Sequence, residues 1–264
     1  MHHEHSILFG PFNALLTKLL GPVTNAPAWW REGVTIGGLH VAGVAPHGEE
    51  GELLGWVPDH LVMALLVLLF CAVFFPVVGR RFRRDVPGPT QNVLELFVDF
   101  LRGEVNQNIP HEGEKYLPIV GGFFFFILLA NLCGVFFFLQ PPTANLSVTF
   151  ALSITCFFYF NAAGVRAHGL FGYLKRFAGP SLALAVLVFP IEVIGTSARA
   201  LSLAVRLFGN IFGEHTATSE FTHLLPVIVP WPMYPLGVFT ALLQAYVFAL
   251  LTAVYVGDAV AHEH

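Results

Sequence analysis

The chain has 264 residues, of which 55% are hydrophobic and 11% charged, with a mean hydropathy of +0.69. Soluble domains carry about 25% charged residues, so a soluble enzyme, a nucleic-acid binder and a disordered tail are excluded. The 13 Lys and Arg, 17 Asp and Glu and formal net charge of −4 belong to a polytopic membrane protein, in which each charge has to be accounted for.

Residues 1–58 mix Gly, Pro, His and acids with short apolar pieces. They are expected to form an extramembrane N-terminal region ahead of a membrane domain over 59–264. The opening MHHEH is His-rich and acidic, and no basic stretch leads into an apolar one, so no cleavable signal or transit peptide is expected. His2, His3, His5, His262 and His264 read as solvated tails rather than a metal site. Pro58 and Asp59 open the first span, with a proline at a helix start and an acid in the first turn.

Apolar runs long enough to cross the hydrocarbon, about 20 residues each, cover about 60–78, 117–139, 146–165, 181–213 and 224–256. The expected fold class is an all-α polytopic membrane protein with five spanning helices. Cys71, Cys133 and Cys156 fall inside apolar runs without metal-ligand spacing and read as small core residues. Between the first two spans, residues 92–106 have a 3.6-residue pattern. Asn92, Glu95, Asp99, Arg102 and Asn106 share one face, and Val93, Leu94, Phe97, Val98, Leu101 and Val105 take most of the rest. Too short and too polar on one side to span, this segment is expected to lie along the cytoplasmic interface as an amphipathic anchor. Asn131, the one polar residue near the middle of the second span, reads as a helix-packing hydrogen bond.

Orientation follows from the basic residues. Arg80, Arg81, Arg83, Arg84, Arg102 and Lys115 lie between spans one and two, and Arg166, Lys175 and Arg176 between spans three and four. The connections at 140–145 and 214–223 hold no Lys or Arg. The N-terminus is therefore expected outside and the C-terminus in the cytoplasm. Lys18 and Arg31 belong to the outer region, which leaves Arg199 and Arg206 inside a span.

The fourth and fifth runs are too long for ordinary spans. About 33 residues make a helix of roughly 50 Å, against a hydrocarbon of about 30 Å. The required tilt of roughly 50° exceeds the usual range. Two long, steeply inclined helices are expected, joined by an outer hairpin holding Pro226, Pro230 and Pro232. On the fourth, Glu192, Arg199, Ser202 and Asn210 all fall within about 40° of Arg206, forming one polar stripe on an apolar helix. Glu214 lies about 80° off the stripe, and His215 points to the opposite face.

An Arg at the bilayer centre costs from about 3 to more than 10 kcal/mol and cannot deprotonate to escape that cost. Arg199 is expected to pair with Glu192 on its own helix. Arg206 has no such partner, so its counter-ion has to come from elsewhere. With the hairpin apex near Leu225, Gln244 of the fifth span is expected opposite Arg206, where an amide can orient a guanidinium without neutralising it.

The run Pro190-Ile-Glu192, then Arg199-Ala-Leu-Ser202-Leu-Ala-Val-Arg206-Leu-Phe-Gly-Asn210, resembles subunit a of the F-type ATP synthase membrane sector. So does Gln244-Ala-Tyr-Val-Phe-Ala-Leu-Leu-Thr-Ala-Val-Tyr255. Pro58-Asp-His60, Lys115-Tyr-Leu-Pro118, Asn131-Leu and Pro142-Thr-Ala-Asn145 extend the resemblance over about 58–256. It implies a stator in a bacterial inner membrane, working with a ring of subunit c and the peripheral-stalk subunit b, with no catalytic site, metal or cofactor of its own. A ring carboxylate would supply the counter-ion of Arg206, and protons would cross by two offset half-channels. Asn210, Gln244, Glu214 and His215 are then candidates for the outer path, and Glu192 and Ser202 for the inner one. The chain departs from many relatives by placing His215 where they carry an acid, Gly237 where His or Glu is frequent, and Gly134 where some have Asp. A secondary transporter would also place charges at mid-membrane, but such folds show internal repeats around a substrate site, and none is visible. An intramembrane hydrolase would need a catalytic motif that is also missing.

Overall fold

The computed structural model describes residues 34–36, 39–41, 59–80, 82, 88–109, 112–135, 141–178, 182–224 and 230–261. The His-rich ends and most of the N-terminal region lie outside these residues. Within that region, β1 (Val34–Ile36) and β2 (Leu39–Val41) pair as an antiparallel hairpin, with Val34 opposite Val41. All the other elements are helical: α1 (Asp59–Gly79), α2 (Pro89–Asn108), α3 (Gly113–Cys133), a 3₁₀ turn (Pro142–Ala144), α4 (Leu146–Ala178), α5 (Leu182–Leu224) and α6 (Pro230–Val260). Five of the helices, all but α2, are long and apolar enough to cross a membrane. The chain is an all-α polytopic membrane protein.

The centre of the bundle is α6. Ala241, Ala245, Ala249 and Ala253 recur every fourth residue and are all at most 1% exposed, so one side of α6 is a smooth seam. Small residues let helix backbones approach closely where lipid on all sides removes the hydrophobic drive to associate. The Phe-rich α3 fills the space beside this seam: Phe123 packs on Phe248 with ring centroids 5.3 Å apart, and Phe124 and Ile127 are fully buried. Helix α6 packs most extensively on α3, and α5 on α4.

Helix α2 starts at Pro89, a residue suited to the first helical position, so it begins earlier than its polar pattern suggests. Its apolar side divides in two. Leu101, Val105 and Ile109 are buried in the common core, whereas Val93, Leu96 and Phe100 stay exposed. Arg102 ties the α2–α3 turn by ion pairs to Asp99 at 2.7 Å and to Glu114 at 3.1 Å.

Helix α4 continues well past residue 165. At Gly169 the backbone takes φ 72° and ψ 162°, a conformation open to glycine, and the chain folds back on itself. Tyr173 then lies over Gly164, where an added Cβ would come within 2.3 Å of the ring, and its hydroxyl donates to Asn161 Oδ1 at 2.9 Å. Helix α5 has 43 residues, about 65 Å at the helical rise, ten more than its apolar run. Its polar last turns, 214–224, stay helical instead of forming a loop, and α6 begins at Pro230.

A second close approach joins the ends of α2 and α6. A Cβ at Gly257 would lie 2.2 Å from the carbonyl oxygen of Asn108. Backbone cannot swing aside as a side chain can, so Gly257→Ala has to separate α6 from the α2–α3 connection. The expected loss is about 1–3 kcal/mol, read as a lowered unfolding midpoint of the detergent-solubilised protein. An unchanged midpoint would show that the two helix ends do not meet this closely.

Candidate functional site

The polar stripe occupies the edge of a long face of α5 that no other described element covers. Leu203, Ala204, Leu207 and Ile211 on the opposite side are buried, and Ser153 of α4 donates to the Ala200 carbonyl. Ser202, Arg206 and Asn210 are exposed, with Ile194, Leu201, Val205 and Phe212 beside them. Gly195, Gly209 and Gly213 on the same face meet nothing within 4 Å of an added Cβ. Arg206 thus stands on a slim, largely apolar surface. Among the described residues no carboxylate lies within ion-pair distance of it.

Arg199 differs from expectation. Its partner is Asp258 of α6, with Nη1 2.5 Å from Oδ2, and its guanidinium carbon lies 5.7 Å from the centre of the Tyr255 ring. Glu192 makes no ion pair with it. Instead Glu192 lines a cleft with Arg199, Asp258, Tyr255, Thr196 and Tyr173. The reason is geometric: α6 brings an acid directly to the guanidinium, whereas Glu192 is two turns away along α5. Asp258 was missed because it lies beyond the apolar run, although it is the one charged residue between Leu225 and Val260.

Gln244 is buried at 6% exposure, and no hydrogen bond joins it to Arg206. The expected pairing across the hairpin is displaced. Glu214 meets Gly237 and Thr240, and Arg199 meets Tyr255 and Asp258, so the position facing Arg206 falls about one turn beyond Gln244. With α5 ending at Leu224 and α6 starting at Pro230, the midpoint between the helix ends falls at 227, not 225, which accounts for the offset.

At the other end of the stripe, Thr240 Oγ1 donates to Glu214 Oε2 at 2.5 Å. Glu214 Oε1 lies 2.6 Å from where a Cβ of Gly237 would be, so this carboxylate fills the room that a side chain on α6 would otherwise take. Thr240, four residues before Gln244 on α6, is therefore part of the arrangement. His215 is the next residue of α5, and its side chain lies outside the described part of the structure. Further along the same end, Thr143 Oγ1 donates to Asn131 Oδ1 at 2.6 Å, the packing hydrogen bond expected of Asn131. The Asn131 amide nitrogen is buried without a partner among the described residues. Asn145 Nδ2 lies 3.3 Å from His60 Nδ1.

Two separated polar groupings thus flank a lone cation on an open helix face: Glu214 with Thr240 on one side, and Glu192 with Arg199 and Asp258 on the other. Both contain groups able to pass protons, and the fixed charge lies between them.

Residues 60–257 match the family model described as ATP synthase A chain. ATP synthase subunit a of Solibacter usitatus is 42% identical over 224 residues, covering 85% of this chain and 94% of the relative. The subunit a of Sulfurihydrogenibium sp. is 36% identical over 207 residues, covering 78% and 99%. That of Bdellovibrio bacteriovorus is 39% identical over 174 residues, covering 66% and 76%. Since the match runs from the first turn of α1 almost to the last of α6, this chain belongs to the ATP synthase A chain family, that of subunit a.

Proposed function

We infer that the chain is the proton-translocating stator subunit of a rotary ATP synthase, and that the uncovered face of α5 is where a ring of subunit c turns. The observation that carries this reading is Arg206, exposed on an apolar face with no carboxylate near it among the described residues. A guanidinium stays charged at any working pH, and in hydrocarbon it needs a partner. A carboxylate on each ring subunit fits that need, and the glycines along the face leave room for a helix to come close.

In this reading Arg206 does two things. It attracts each ring carboxylate only in the ionised form, since a neutral carboxyl gains nothing from the positive charge. It also stands between the two polar groupings and repels protons that would pass straight from one to the other. A carboxylate leaving Arg206 takes a proton from the outer path through Glu214, Asn210, Gln244 and His215. Neutral, it crosses the lipid as the ring turns. It then releases the proton to the inner path past Ser202 and Glu192, and meets Arg206 again as an anion. The residues themselves undergo no lasting chemical change.

The subunit belongs to a multi-subunit complex in a membrane. We assign residues 1–58 to the outside and 59–264 to the membrane domain, with the C-terminus in the cytoplasm of a bacterial inner membrane. The ring of subunit c and the peripheral-stalk subunit b are its proposed contacts. The distribution of basic residues supports the orientation.

Arg206→Ala is expected to assemble into the complex but to abolish both ATP-driven proton pumping and ATP synthesis, measured in inverted membrane vesicles. Coupled pumping in that variant would remove Arg206 from the centre of the mechanism. Gly237→Ala tests the outer path. Its new methyl first meets the end of the Glu214 side chain, with Val135 next at 3.4 Å, so the fold should hold while the carboxylate moves away from Thr240. ATP synthesis should slow several-fold with normal assembly, and an unchanged rate would mean that the position of Glu214 does not govern proton uptake.

A further inference from the structure

The cleft at the inner end of α5 holds one guanidinium and two carboxylates, drawn from two helices. Asp258 takes Arg199 from α6 at 2.5 Å, and Tyr255 one turn earlier on α6 supports the same guanidinium with its ring face. Glu192 and Thr196 line the cleft from α5, and Phe160 and Tyr173 from α4. The cleft holds about 20 Å³, room for roughly one water. Glu192 is half-buried and makes no ion pair among the described residues, although Arg199 lies on the same stripe of α5 within reach of its field.

Two carboxylates competing for one cation cannot both be bound by it equally well. A carboxylate locked in an ion pair is a poor proton relay, because taking up a proton means breaking the pair. A free one can accept and release protons as they arrive. The choice of Asp258 over Glu192 as the partner of Arg199 therefore has a functional consequence, separate from its effect on packing.

We propose that Asp258 is a positioning residue for proton release: by holding Arg199 it keeps Glu192 unpaired and able to pass protons from the ring to the cytoplasm. The same pair keeps a second cation on the stripe away from the ring carboxylates, so that Arg206 alone meets them. Helix α6 thus contributes to the inner path through a residue that touches no ring carboxylate. The proposal rests on the reading that the inner path runs past Glu192.

The test uses the complete complex reconstituted in liposomes, with ATP synthesis measured under a fixed proton-motive force and assembly checked by subunit recovery. Asp258→Asn frees Arg199 to turn to Glu192, and the rate is expected to fall several-fold. The double variant Arg199→Gln with Asp258→Asn removes the competing cation as well, and should return the rate to near that of the parent. A purely structural bridge would leave the double variant as slow as the single one, and that result would overturn the proposal, as would full activity in Asp258→Asn. If Asp258→Asn assembles poorly, Arg199→Gln alone decides: near-parental synthesis supports the proposal, and a several-fold loss rejects it. Glu192→Gln, run in parallel, separates the two levels. If it is fully active, the path past Glu192 is itself wrong; if it is slow while Asp258→Asn is fast, only the role of Asp258 falls.

Discussion

A guanidinium in a membrane cannot shed its charge and is poorly solvated by lipid, so its position is tenable only beside water, a dipole or an anion. Arg206 is in this situation, and much of the rest of the molecule makes sense around it. Helix α5 leaves it on an open face while burying the opposite side against α4. The other cation on the stripe, Arg199, is neutralised from within the chain. One Arg is paired within the chain and the other meets no carboxylate among the described residues, and the difference between them lies in a single acid on α6.

That difference depends on α6 being held in register with α5, which direct packing between the two helices does little to secure. Helix α6 is fixed by its alanine seam against α3 and α4, by the Phe123–Phe248 contact and by the close approach of Gly257 to the end of α2. An acid at one end of α6 then reaches Arg199, and a glycine at the other makes room for Glu214. The scaffold is apolar and dense where precision is needed. It is bare along the face of α5, where close packing within the chain would leave no surface for another subunit.

Gly237 and Glu214 illustrate how two helices share in placing one titratable group. An acid one residue before its frequent place would be misdirected if a bulky side chain stood on α6. With glycine there, the carboxylate fills the room left on α6 and is oriented by Thr240. What matters in such a path is where the titratable group stands, and two helices can share in placing it.

Much of this was legible in the chain itself. Five apolar runs, the alternation of basic residues, two runs too long for the hydrocarbon and the stripe around Arg206 follow from helical period and the energetics of charge in lipid, which act locally along one helix. The partner of Arg199, the burial of Gln244, the Gly169 reversal and the joint placement of Glu214 by Gly237 and Thr240 were decided by tertiary structure. Each depends on the register between helices, and an offset of one turn, set here by where α5 ends and α6 begins, changes which side chains meet. Periodicity determined which face of α5 carries the polar stripe; packing around α6 decided which of its two cations is paired within the chain.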